Sequence, residues 1–162
     1  MKDSDANSSV PAFTLDDMIR MFPTTTSGGY SYTDFSYDPI FDALGEVVCS
    51  YRDKDYQGET TLVIRNKTTG LFAIHTYSWG SCSGCDFMQG CSSHAAVLKY
   101  ANEAAASLEW IDLESLRARA LELSSMKDDL DYPMHHENAS GKAIITWIAA
   151  NTSTPTPERP TP

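Results

Sequence analysis

The chain has 162 residues, 41% apolar and 21% charged, and its 22 Asp plus Glu against 12 Lys plus Arg give a formal charge of −10. That size and balance fit one globular domain able to bury a core without disulfide staples. No Lys/Arg-rich run exists to grip nucleic-acid phosphates, so the acidic surplus points to a protein partner with a basic surface.

The opening residues Met1-Lys2-Asp3-Ser4-Asp5 lack the apolar stretch of a secretory signal. No apolar run approaches bilayer length, so neither a membrane span nor membrane binding is expected and the expected location is the cytoplasm. Residues 1–12 are polar and read as a flexible tail. Thr14 reads as a helix cap, with Asp16 and Asp17 in the first turn and Pro23 as the stop. Leu15, Met18, Ile19 and Phe22 would share one face of that helix. Residues 24–39 interleave Tyr30, Tyr32, Phe35 and Tyr37 with polar residues, as a short strand or recognition loop, or as rings that cover the core.

Three strands are expected over 45–51, 60–66 and 71–78, all rich in β-branched and aromatic residues. Gly70 closes a short hairpin link between the second and third, so an antiparallel meander is the economical assembly. Ser92 or Ser93 then caps an Ala-rich helix through Leu108, and Asp112 caps another through Leu123. Residues 127–137 read as an acidic loop in which His135 and His136 face solvent. Residues 143–150 are apolar on nearly every side, a buried helix or a strand. From Asn151 the Pro/Thr-rich sequence reads as a disordered tail. The expected architecture is α+β: a domain over 13–150, its three- to four-stranded antiparallel sheet packed against three or four helices.

The chemistry-bearing segment runs from Trp79 to His94, W-G-S-C-S-G-C-D-F-M-Q-G-C-S-S-H. Cys82, Cys85, Cys91 and His94 form C-x2-C-x5-C-x2-H, four ligands suited to tetrahedral zinc, with Cys49 as an alternative fourth ligand. In a reducing compartment, clustered cysteines favour metal or thiol chemistry over disulfides. Two other readings compete. Gly80-Ser81-Cys82-Ser83-Gly84 matches a G-x-C-x-G nucleophile elbow, with His94 as a candidate base, and Cys82-x-x-Cys85 matches a redox pair. The bland alternative is two small, half-buried cysteines in a tight turn.

The strand ending in an aromatic-Gly-Ser-Cys-Ser-Gly-Cys-Asp segment, Trp79 to Asp86, resembles a group of small uncharacterised proteins of bacteriophages and their actinobacterial hosts. The likeness spans roughly residues 44–125. It implies a phage-associated accessory protein in the host cytoplasm and implies no activity. The combined expectation is a small acidic binding protein, inhibiting a host defence or nucleic-acid-handling protein, with a Cys-rich structural zinc site. A cysteine-dependent enzyme or redox protein built on Cys82 is the alternative.

Overall fold

The computed structural model describes residues 13–54, 56–84, 86–126 and 136–152, so the expected tails at 1–12 and beyond 152 lie outside the described residues. Helix α1 (Leu15–Met21) starts as its sequence dictates. Thr14 Oγ1 accepts from the Asp17 amide and Asp17 Oδ2 accepts from the Thr14 amide at 2.8 Å, a reciprocal capping box. Met18 and Phe22 are buried, but Leu15 and Ile19 stay 46% and 49% exposed. The apolar stripe is therefore narrower than the sequence suggests. The helix docks through one row on the later helix His94–Ser107, whose Asn102 bonds both backbone groups of Phe13.

Strands β1 (Thr25–Ser27) and β2 (Tyr30–Tyr32) form a separate two-stranded hairpin. Gly28 and Gly29 turn it at φ 60° and 84°, a conformation that only glycine adopts freely. The four interleaved aromatics divide: Tyr30 and Tyr32 are exposed, while Phe35 and Tyr37 are buried. Helix α2 (Asp38–Leu44), with a proline in its first turn, was not expected from the sequence. Its Ile40, Phe41 and Leu44 all point into the core.

Strands β3 (Glu46–Arg52), β4 (Gly58–Arg65) and β5 (Phe72–Trp79) make the expected antiparallel meander in the order β3-β4-β5. Gly70, at φ 73°, closes the β4–β5 link. The central strand is buried continuously from Thr60 to Ile64, because helices cover both faces of the sheet. On one face Leu62, Ile64, Ala73, Tyr77 and Trp79 pack with α1, α2, α4 (His94–Ser107) and the short α3 (Phe87–Gly90). On the other, Val63 packs with Leu116 and Ala120 of α5 (Leu113–Ser125) and Ile144 and Ile148 of α6 (His136–Thr152). Ser93 caps α4 and Asp112 caps α5, each accepting the amide three residues on, as expected.

Helix α6 resolves the ambiguity at 143–150 in favour of a helix and carries it to Thr152, past the expected start of the tail. Its packing on α5 turns on Gly141. A Cβ there would stand 2.7 Å from the Ala120 carbonyl oxygen, so the two backbones meet without a side chain between them. Among the described residues, no helix is long and apolar enough to cross a membrane.

Gly141→Ala should therefore lower stability in urea unfolding by about 1–3 kcal/mol, the usual cost of overpacking. Intrinsic helix propensity would act the other way, by about 1 kcal/mol in favour of alanine, so a net loss reports the clash. Gly84→Ala, where nothing lies within 4 Å of the added carbon, should show no such loss.

Candidate functional site: the Cys-loop pocket

The segment between β5 and α4 is organised by one carboxylate. Asp86 is 8% exposed and caps α3: its Oδ1 accepts from the amides of Met88 (2.9 Å) and Gln89 (3.3 Å) and from the Tyr37 hydroxyl (3.2 Å). Its Oδ2 lies 3.5 Å from the Gly80 amide. The Gln89 side-chain amide donates back to the Gly80 carbonyl at 2.8 Å, and the Asp86 amide donates to the Cys82 carbonyl at 3.0 Å. The chain has every reason to turn here. Asp86 followed three residues later by Gln89 is a helix-start pattern, legible in the sequence although α3 itself was not expected.

Against this loop lies a stack of rings. Tyr37 stacks on Tyr77 at 4.0 Å between centroids, Tyr77 on Phe41 at 5.5 Å, and Phe87 on Tyr100 at 4.9 Å. Together with Asp86, Ser83 and Cys91 these tyrosines line an open cavity of about 720 Å3. Its wall mixes aromatic faces with polar groups, and the polar groups set its chemistry. Among the described residues, no Lys or Arg lines it, and Asp86 is the one carboxylate that does. His75 Nε2 and the Tyr100 hydroxyl, on two lining residues, are buried without a hydrogen-bond partner among the described residues. Leaving such groups unpaired costs about 1–3 kcal/mol each.

Burial sets the protonation of these groups. It pushes the Tyr37 hydroxyl up to about 12, with the Asp86 charge adding to the effect, and raises Tyr100 and Tyr77 as well. Burial lowers His75, which favours its neutral form.

The sequence-derived ligand set is described only in part, because one of its members lies outside the described residues. Cys82 is disulfide-bonded, whereas Cys49 and Cys91 are free thiols; Cys85 lies outside the described residues. A disulfide sulfur is neither a thiolate ligand nor a nucleophile, so in this state Cys82 serves neither the zinc nor the elbow reading. His94 Nε2 lies 2.7 Å from the Phe22 carbonyl oxygen, and the ring packs edge-on against Phe35, which gives it a structural post at the start of α4. Cys91 belongs to the pocket, its thiol raised by burial and by the Asp86 charge and so held protonated. Cys49 packs on the opposite face of the sheet, against the α5–α6 core, so the sheet separates it from Cys91. Among the described residues, no three His, Cys, Asp or Glu side chains converge as a metal site.

His135 lies outside the described residues, and His136 is 1% exposed rather than solvent-facing, because it opens α6 and turns inward. The pocket's aromatic members were visible as residues but not as a site, since Tyr37, Tyr77 and Tyr100 come from three distant segments. No protein-family model, curated protein or solved structure matches the chain.

The raised Tyr37 hydroxyl carries a stability consequence. Its folded value lies above the ordinary 10.0, so the folded state holds this proton where the unfolded chain has released it. Stability from this group is complete below pH 10 and is lost as pH rises from 10 towards about 12. Thermal melts across that window should fall steeply for the wild type and less steeply for Tyr37→Phe.

Proposed function

We propose that this protein is a binding module that takes a cationic side chain from a basic partner protein into the Cys-loop pocket. The observation that carries the reading is the union of stacked tyrosines and Phe87 with the buried Asp86 carboxylate in a cavity lined by no Lys or Arg. Aromatic faces attract cations through their quadrupole, most strongly where water is excluded. The negative Asp86 adds a field of the same sense. Arg52 already sits over the Trp79 ring at 3.8 Å, an example of such pairing in this fold. The −10 charge would steer a basic partner towards the chain and repel acidic ones.

In the setting implied by the Gly80-to-Asp86 resemblance, the partner is a host defence or nucleic-acid-handling protein met in the host cytoplasm. Basic surfaces that hold nucleic acid supply the required Lys and Arg.

Phe87 gives a clean test because it is 45% exposed, with one face stacked on Tyr100. A fluorescent Lys/Ser peptide should bind in anisotropy titrations, more weakly at high salt, while a Glu/Ser peptide should not. Phe87→Ala should weaken the Lys/Ser peptide about tenfold, as expected for loss of a partly desolvated cation–π contact. Equal binding of the two peptides, or an unchanged affinity in Phe87→Ala, would rule the reading out.

A further inference from the structure

A second cavity, about 410 Å3, lies on the other face of the sheet between β4, β5, α5 and α6. Ile74, Ile111 and Leu123 supply its apolar wall. Behind it runs a continuous chain of hydrogen bonds. Asp53 Oδ1 lies 2.8 Å from His136 Nδ1, His136 Nε2 lies 2.7 Å from Thr61 Oγ1, and Thr61 Oγ1 lies 2.8 Å from Thr76 Oγ1. Thr61 and Thr76 are directly paired across β4 and β5, with Thr61 buried and Thr76 exposed.

The sequence separates these residues by up to 83 positions, yet each is individually fixed. Asp53 Oδ2 accepts from the Glu59 amide at 2.8 Å. Gly58 leaves room for that carboxylate, since a Cβ at 58 would stand 2.6 Å from Asp53 Oδ2. His136 is sealed from solvent, with both ring nitrogens engaged.

The direction of the chain follows from what each group can do. A carboxylate only accepts, so Nδ1 carries the proton of the neutral ring and Nε2 is left as an acceptor. Thr61 then donates to His136 and accepts from Thr76. The group at the open end is thus a hydroxyl whose proton has a path to a buried base oriented by an acid. That is the logic of a nucleophile–base–acid triad, lengthened by one hydroxyl. A purely structural cross-strand threonine pair would need neither the buried histidine nor its carboxylate.

We infer that Thr76 is the nucleophile of a slow acyl-transfer site, with Thr61 and His136 as its proton relay and Asp53 as the positioning residue. The substrate class is a small uncharged ester with an apolar acyl group. Ile74, Ile111 and Leu123 would receive the acyl chain. Among the described residues, the charged groups lining the pocket are Glu59, Glu109, Glu137 and Arg119, and Arg119 is paired with Glu109 at 3.1 Å, so their surplus is negative and disfavours anionic substrates.

In the first step Thr76 Oγ1 bonds to the ester carbonyl carbon. Its proton passes to Thr61 Oγ1 as the Thr61 proton passes to His136 Nε2, and Asp53 stabilises the resulting imidazolium. The tetrahedral adduct then re-forms its carbonyl and expels the alkoxide, which takes a proton from Thr61 Oγ1 as Thr61 recovers one from His136 Nε2. Water repeats the sequence on the acyl-threonine, releasing the carboxylic acid and restoring the hydroxyl. The sum is ester plus water to acid plus alcohol.

The test uses the full chain with p-nitrophenyl acetate and p-nitrophenyl butyrate, followed by mass spectrometry of the acylated protein. Turnover above the buffer blank is expected, with the acyl group on Thr76. Thr76→Val replaces an exposed side chain by one of the same shape and should retain the wild-type melting curve. Its rate should fall about 100-fold or more, the scale of lost proton-transfer catalysis. The wild-type rate should fall in heavy water, a solvent isotope effect of proton relay that disappears in His136→Gln, a readout that a merely structural histidine would not move. No turnover above the blank, an unchanged rate in Thr76→Val, or acylation at another residue would overturn the assignment.

Discussion

The buried carboxylate of Asp86 is the constraint on which the Cys-loop pocket depends. A charge taken out of water must be compensated by donors, and here they come from three places: the first turn of α3, the end of β5 at Gly80, and Tyr37 ahead of α2. Satisfying one side chain thus fixes the loop, starts a helix and pins a ring from a segment nearly fifty residues away. The pocket is a consequence of that arrangement. Its aromatic wall is held before any ligand arrives, which reduces the ordering cost of binding.

The second constraint is the narrowness of the sheet. With only three strands, β4 is its one interior strand, and helices close over it from both sides. This divides the core into two clusters and puts one cavity on each face. It also explains the fate of the cysteines. Alternation along the strands sends Cys49 to the α5–α6 face, while the loop after β5 carries Cys91 to the other.

The strands, α1, α4 and α5 were legible because their signals are local: β-branched runs, a glycine in the β4–β5 link, and side-chain caps at Thr14, Ser93 and Asp112. Helix α2, as short as α1, has no side-chain cap at Tyr37 to announce it, and the four residues of α3 are too few for periodicity to register, although Pro39 and the Asp86–Gln89 pair mark their starts. The cluster of Cys82, Cys85, Cys91 and His94 was the most visible motif, but spacing says nothing about direction. His94 turns to the Phe22 carbonyl and Cys82 is committed to a disulfide. His136 was misread for the same reason, since an acidic, His-containing stretch resembles a solvated loop until Asp53 and Thr61 are brought to its ring by the sheet.

The claim that Asp86 organises the site is tested most directly by amide hydrogen exchange, resolved residue by residue by NMR, in the wild type and in Asp86→Asn. The account predicts that exchange at Gly80, Met88 and Gln89 accelerates by about tenfold or more as their acceptor weakens. Protection at Val63 and Ile64, in the middle of β4, should be unchanged. Identical exchange at those three loop amides in both proteins would contradict it, showing that the loop is held by something other than this carboxylate.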